Sequence, residues 1–367
     1  MSESNQIHEQ SGAQADDQPL ISIDELTVEF ENDSGILERF FRDPDVVQAV
    51  TDVSVDIFEE DVVALVGESG CGKTTLGKAA IGLIEPSSGS IRYRGQDIWE
   101  AKRGEGSIPY EDIRRSLQII HQDPGSSLNP NQKVISTLSM PLKKWSPDLP
   151  HEDRQGRIYS LLERVGMTPP EDFAHRYPHQ LSGGEKQRVA LIRALMMNPD
   201  LILADEAISA LDVSLRVEMM DLMLELQEVF NTSYLFISHD LSNARYLAEQ
   251  SNGQIGVMYM GQIVEIGTVE QIMKNPQHPY TKILLWATPD LNPWEENIAE
   301  PPLREVDVPD PANPPEGCRF HTRCPFAREE CKTQPETMEV DERHEVSCFR
   351  ADPDHDYWDT EPIADTK

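Results

Sequence analysis

The sequence predicts an α/β fold with a parallel sheet at its centre, and three observations carry that prediction. The short apolar runs VVALV (Val62–Val66), LILA (Leu201–Ala204) and YLFIS (Tyr234–Ser238) lack polar alternation. That is the pattern of strands buried on both faces. A glycine-rich segment, Gly67 to Thr74, directly follows the first run and precedes the helical stretch TTLGKAAIGL. Between Arg154 and Val165 the apolar residues Ile158, Leu161, Leu162 and Val165 recur at i, i+3, i+4 and i+7, one face of an amphipathic helix. Strands alternating with helices make a layered α/β architecture.

Residues 1–19 are polar, carry few large apolar groups and are expected to form a disordered tail. From Leu20, LISIDELTVEF alternates as a half-buried strand, and VTDVSVDIF follows as a second. Between them GILERFFRDPD (Gly35–Asp45) reads as a small packed helix presenting Ile36, Leu37, Phe40 and Phe41. VMYMGQIVEIG reads as a hairpin turning at Gly261. Residues 20–285 are therefore expected to form one domain. Eight of the 27 prolines fall between Trp286 and Pro315, so residues 286–316 read as an extended connector. A small cysteine-rich module (317–350) and a loose acidic tail (351–367) follow.

The chain of 367 residues is 38% hydrophobic, enough for a core, which excludes wholesale disorder. It carries 65 acidic against 32 basic residues, a net charge of −33, and such a surface repels a phosphate backbone. No nucleic-acid partner is expected. With 11 Lys against 21 Arg, the acid excess resembles that of proteins adapted to high salt. No run of about 18 apolar residues is present, and the first residues lack the basic and apolar regions of a secretory signal. Five cysteines do not suggest a secreted disulfide scaffold. The expected location is the cytosol.

Gly67-Glu68-Ser69-Gly70-Cys71-Gly72-Lys73-Thr74 fits G-x-x-x-x-G-K-S/T in the strand–loop–helix context that this phosphate-binding loop requires. Its glycines let the backbone wrap a phosphate, with amide N–H groups and the positive end of the helix directed inward. Lys73 reaches the β- and γ-phosphates, the Thr74 hydroxyl ligates Mg²⁺, and Thr75 completes the ATP-binding run. Cys71 occupies a variable slot. LILA ends in Asp205 and Glu206: the first is placed to hold Mg²⁺, the second to polarise an attacking water. These two features alone fit many nucleotide hydrolases.

Leu181-Ser182-Gly183-Gly184-Glu185-Lys186-Gln187-Arg188 (LSGGEKQR) resembles the signature of the ABC ATPases. The resemblance implies a cassette with a RecA-like core and a helical subdomain. In that family the signature Ser and glycines grip the γ-phosphate bound to the opposite subunit, which assigns Ser182, Gly183 and Gly184 to ATP binding in trans. It further implies that Gln122, in HQDPGSSLNP, is the Q-loop glutamine that contacts Mg²⁺. Asp212, in SALD, belongs to the D-loop acting in trans, and His239 is the switch histidine at the γ-phosphate. Phe30 aligns with the aromatic that stacks on adenine. Ala207-Ile208 and Gly125 depart from the usual pattern without removing a catalytic group.

QDPGSSLNP, DEAISALDVS, HPYTKILL (His278–Leu285) and NPPEGCRFHTRCP (Asn313–Pro325) resemble the oligopeptide/dipeptide importer ATPases, in which Pro usually stands at the position of Thr322. The resemblance spans about residues 20 to 350. It implies an ATP-hydrolysing subunit, peripheral on the inner face of the cell membrane. The implied partners are a second ATPase subunit (a paralogue or a second copy), two membrane permeases and an extracytoplasmic solute-binding protein. A soluble ABC ATPase acting on ribosomes or in DNA repair is the alternative. Such proteins usually carry two cassettes or a long coiled coil, and neither is present here.

Cys318, Cys324, Cys331 and Cys348 are spaced C-x5-C-x6-C-x16-C in a segment with few large apolar residues. Four thiolates in a reducing compartment suit a metal better than two disulfides. Zinc usually shows tighter pairs, with His321 and His344 as possible substitutes. Four-cysteine ligation also suits a 4Fe–4S cluster, as the family resemblance implies. An unmetallated module is the third reading.

Overall fold

The parallel strands bury alternate side chains into two different cores, and this explains their uninterrupted apolar sequences. The computed structural model describes residues 18–31, 46–123, 125, 128–288, 303–305 and 307–363. The helix expected over Gly35–Asp45, nearly all of the tail 1–19 and the connector residues 289–302 lie outside them. So do Pro124, Ser126 and Ser127 of the Q-loop segment.

The strands in chain order are β1 (Ile21–Glu31), β2 (Val46–Ile57), β3 (Val62–Val66), β4 (Ser88–Tyr93), β5 (Gln96–Asp97), β6 (Leu117–Ile120), β7 (Leu201–Asp205), β8 (Ser233–Ile237), β9 (Gln254–Tyr259), β10 (Gln262–Thr268), β11 (Met338–Asp341) and β12 (His344–Val346). An antiparallel sheet has the order β2-β1-β4-β5, and an eight-stranded sheet has the order β11-β12-β10-β9-β3-β8-β7-β6. Within the second sheet β9, β3, β8, β7 and β6 are parallel. The helices are α1 (Lys73–Ala80), α2 (Ile98–Lys102), α3 (Tyr110–Ser116), α4 (Val134–Trp145), α5 (His151–Arg164), α6 (Pro170–Ala174), α7 (Gly183–Leu195), α8 (Val213–Phe230), α9 (Leu241–Gln250), α10 (Val269–Lys274) and α11 (Pro279–Ala287).

On one face of the large sheet Val63, Leu65, Leu203, Leu235 and Ile237 pack with α1 and the antiparallel sheet. On the other, Val62, Ala64, Ile202, Tyr234 and Phe236 join a core that includes α4, α5, α7, α8 and α9. Removing each such branched or aromatic side chain from water contributes about 2 kcal/mol. The predicted stripe of α5 is observed, with Ile158 and Leu162 fully buried and Val165 just beyond the helix. The hairpin is observed too: Tyr259 pairs with Gln262 across a turn in which Gly261 adopts φ +86°, a conformation that glycine accepts at little cost.

The C-terminal region differs from its sequence reading. The β11–β12 hairpin pairs onto β10, so residues 338–346 extend the central sheet. A buried carboxylate fastens this junction: Glu265 of β10 accepts from the Gln277 and His278 amides (2.7 and 2.9 Å) and meets His344 Nε2 at 2.9 Å. Residues 351–363, expected as a loose acidic tail, make contacts with the cysteine-rich segment. Tyr357 is buried, its hydroxyl donates to the Phe326 carbonyl, and the Ile363 amide donates to Ala327. The acidic composition of the tail conceals this aromatic anchor.

Candidate active site

Strand order assembles the site. Gly67 follows β3, Gln122 lies just past β6, Glu206 follows β7, and His239 lies just past β8, all at the carboxyl ends of parallel strands. Open α/β sheets bind ligands at this end. The loop after β3 runs into α1 through Gly72, which caps the helix at φ +105°. A Cβ there would lie 2.1 Å from the Ala49 carbonyl, so both the conformation and the close approach require glycine.

Lys73 is buried, and its Nζ donates to the carbonyls of Gly67 (2.8 Å) and Glu68 (2.9 Å), with Cys71 Sγ at 3.6 Å. Burial pushes the Cys71 thiol pKa up despite the neighbouring ammonium. The Thr74 hydroxyl donates to Asp205 Oδ1 at 2.7 Å, and Lys78 Nζ stands 4.0 Å from Asp205 Oδ2. Two hard oxygens therefore lie side by side, and Gln122 lines the same cavity, a donor set suited to Mg²⁺. Glu206 sits in the left-handed region (φ +50°), its amide donating to the Ile237 carbonyl at 3.1 Å. His239 Nδ1 lies 3.6 Å from Glu206 Oε2.

A cleft along the phosphate-binding loop is lined by Glu68 to Thr75, Glu206 and Val47 to Ala49 of β2. Phe30 lies opposite Val47 in the β1–β2 register and is 45% exposed, but it is not among the residues that line the cleft. Ser182 caps α7: its Oγ accepts from the Glu185 amide (3.3 Å), and Glu185 Oε2 accepts from the Ser182 amide (2.6 Å). Ser182 and Gly183 are exposed. Asp212 is exposed as well and caps α8 by accepting from the Leu215 amide, which holds its carboxyl below the usual range.

Three site neighbours escaped the sequence reading. Arg323 Nη1 contacts both carboxylate oxygens of Glu68, at 3.0 and 3.1 Å. The Tyr280 hydroxyl accepts from the Glu68 amide at 3.0 Å. Arg319 donates to the Met260 carbonyl, to Gln48 Oε1 (2.8 Å) and to Thr51 Oγ1 (3.0 Å). Tyr280 lies in HPY and the arginines in GCRFHTRC. Both motifs carry the family resemblance, but neither reveals in sequence that Tyr280 and Arg323 reach Glu68 or that Arg319 reaches β2.

The four C-terminal cysteines are free thiols close enough to raise one another's pKa values. Burial is the larger cause: it pushes Cys324 up to about 12 and Cys348 up to about 11. Among the described residues no group of three or more His, Cys, Asp or Glu side chains is placed to hold a metal ion. His344 is engaged with Glu265, and His321 Nδ1 with the Cys318 carbonyl at 2.8 Å.

Residues 50–209 match the family model "ABC transporter", and residues 264–331 match "Oligopeptide/dipeptide transporter, C-terminal region". The chain is 38% identical to the oligopeptide transport ATP-binding protein OppF of Salmonella typhimurium, covering 91% of this chain and 97% of that protein. It belongs to the ABC transporter family. The ABC assignment extends to further relatives. AppF of Bacillus subtilis, an oligopeptide transport ATP-binding protein, is 40% identical over 91% of this chain and 98% of its own length. The dipeptide transport ATP-binding protein DppF of Haemophilus influenzae is 41% identical over 86% and 93%. Among solved ABC structures, cbiO1 of Clostridium perfringens superposes with a TM-score of 0.58 at 25% identity, covering 71% of this chain and 92% of that one. The cassette MJ0796, a dimer in a post-hydrolysis state with ADP and Pi, gives 0.56 at 25% identity over 68% and 98%. The chain is thus an ABC ATPase.

Proposed function

We propose that this chain is the ATP-hydrolysing subunit of an importer for short peptides, peripheral on the cytoplasmic face of the membrane. The observation that carries the reading is the convergence of Lys73, Thr74, Gln122, Asp205, Glu206 and His239 at one sheet end, in a chain 38–41% identical to peptide-transport ATP-binding proteins. Among the described residues no helix is long and apolar enough to cross a membrane. In this reading the passage for solute belongs to partner subunits. The proposed partners are a second ATPase subunit, two permeases and an extracytoplasmic solute-binding protein.

In the proposed cycle the amides of the phosphate-binding loop and Lys73 hold the β- and γ-phosphates. Thr74, Asp205 and Gln122 would hold Mg²⁺, which supplies charge neutralisation on the phosphates. Glu206 orients the attacking water and accepts its proton, while His239 steadies the γ-phosphate. The exposed Ser182 and Gly183, with Gly184 and Asp212, serve ATP on the opposite subunit. Reconstitution with permeases, paralogue and binding protein in proteoliposomes tests this reading. ATP-dependent accumulation of a labelled di- or oligopeptide is expected, and ATP turnover without peptide movement would overturn it.

The finer reading of the cysteine segment is a structural 4Fe–4S cluster on Cys318, Cys324, Cys331 and Cys348. Donor chemistry supports it: Cys324 and Cys348 are buried and Cys318 and Cys331 half-buried, the thiols raise one another's pKa values, and the amides of Phe326 and Arg328 donate to Cys324 and Cys331 sulfurs at 3.4 and 3.5 Å. Bound iron would offset the cost of burying thiolates. Anaerobically purified chain should contain iron and acid-labile sulfide at about four each. Colourless protein with one zinc, or with no metal, would remove the cluster and leave the ATPase untouched.

A further inference from the structure

The cleft above the phosphate-binding loop is walled on one side by residues from far outside the cassette motifs. Val308, Pro311, Pro314 and Arg319 line it together with Val47. Lys73, Thr74 and Glu206 mark where the terminal phosphate sits, and the bonds from Arg319 to Gln48 and Thr51 set the wall against β2. Phe30, the expected base platform, is not among the residues that line the cleft, and Val47, Val308 and the two prolines give the lining apolar surface.

This wall is built in place. Arg319 is only 7% exposed, and each of its three hydrogen bonds goes to an uncharged acceptor on β2 or at the β9–β10 turn. A buried guanidinium with neutral partners is costly unless an anion approaches. It borders a cleft suited to a polyphosphate. Four residues on, Arg323 grips Glu68 of the phosphate-binding loop and its Nη1 lies 3.4 Å from the Tyr259 hydroxyl. One short segment thus lines the cleft and braces the loop that forms its floor.

We propose that residues 308–323 are part of the nucleotide-binding site: Val308 and Pro311 supply an apolar wall for the base, Arg319 adds positive potential, and Arg323 positions the loop through Glu68. The inference deepens the ATPase reading and rests on it. Nucleotide affinity, more than the chemical step, depends on this segment.

Equilibrium binding of ATP and GTP to the full-length chain, with steady-state ATP hydrolysis, provides the test. Val308→Asp changes a half-exposed side chain and places a like charge beside the nucleotide. We expect ATP affinity to fall about tenfold, KM to rise in step and kcat to hold. Arg319→Gln should act in the same direction, and Val308→Phe should alter the ATP-to-GTP preference. If Arg319→Gln does not fold, Val308→Asp and Val308→Phe decide. Variants that match the parent in ATP affinity and in ATP-to-GTP preference would overturn the inference while the ATPase reading stands. A parent chain that binds no Mg-ATP would overturn both.

Discussion

Glu206 holds a left-handed backbone conformation, which costs a residue with a Cβ about 1 kcal/mol. Three contacts keep it there: its amide donates to Ile237, and its carbonyl accepts from the Ser209 amide (3.0 Å) and hydroxyl (2.9 Å). The carboxylate's Oε2 stands 3.6 Å from His239 Nδ1. In the proposed cycle the phosphate-binding loop does the holding and Glu206 the proton transfer, so Glu206→Gln should bind ATP normally and lose about 10²- to 10⁴-fold in turnover. Light scattering should show a closed dimer trapped under ATP, and near-parental turnover would remove Glu206 from its role. At this scale the motifs were legible because a phosphate cradle is local backbone geometry written in consecutive residues. Arg323 was not, since its partner Glu68 lies 255 positions away and nothing in either neighbourhood announces the other.

The α11 helix shows how an element records its environment. His278 caps it, its Nδ1 accepting from the Tyr280 amide at 3.1 Å, so that nitrogen carries no proton. Burial lowers its pKa to about 4, against about 6.5 in an unfolded chain. Between these values the unfolded chain takes up a proton that the folded chain refuses. The contribution is therefore fully present above pH 6.5, falls by about 3 kcal/mol as pH drops toward 4, and then levels. Urea midpoints at pH 7 and pH 4.5 should converge in His278→Gln relative to the parent, and an unchanged difference would contradict this account. The helices and parallel strands were readable from periodicity, because each is amphipathic or doubly buried on its own. The β11–β12 hairpin was not: its pairing partner is β10, and the decisive residue, Glu265, looks like an ordinary surface carboxylate until His344 and two amides are brought to it.

For the whole molecule, a net charge of −33 sets the electrostatics. Mutual repulsion acts over roughly 10 Å at 0.1 M salt and shrinks with added ions. Thermal midpoints should therefore rise across a potassium chloride series, and a flat response would show that local pairs such as Arg323–Glu68 outweigh the global repulsion. The way the large sheet ends bears on handling the chain. Among the described strands β12 covers β10, pairing Ile266 with Glu345 and Glu265 with Val346, and the Ser347 amide donates to the Val264 carbonyl. Without residues 338–347, β10 would present Ile263, Val264 and Ile266 on a bare row of unpaired backbone groups, a template for strand addition by neighbouring molecules. A chain shortened to its catalytic portion would then trade solubility for brevity, sticking to its own copies before it could be assayed.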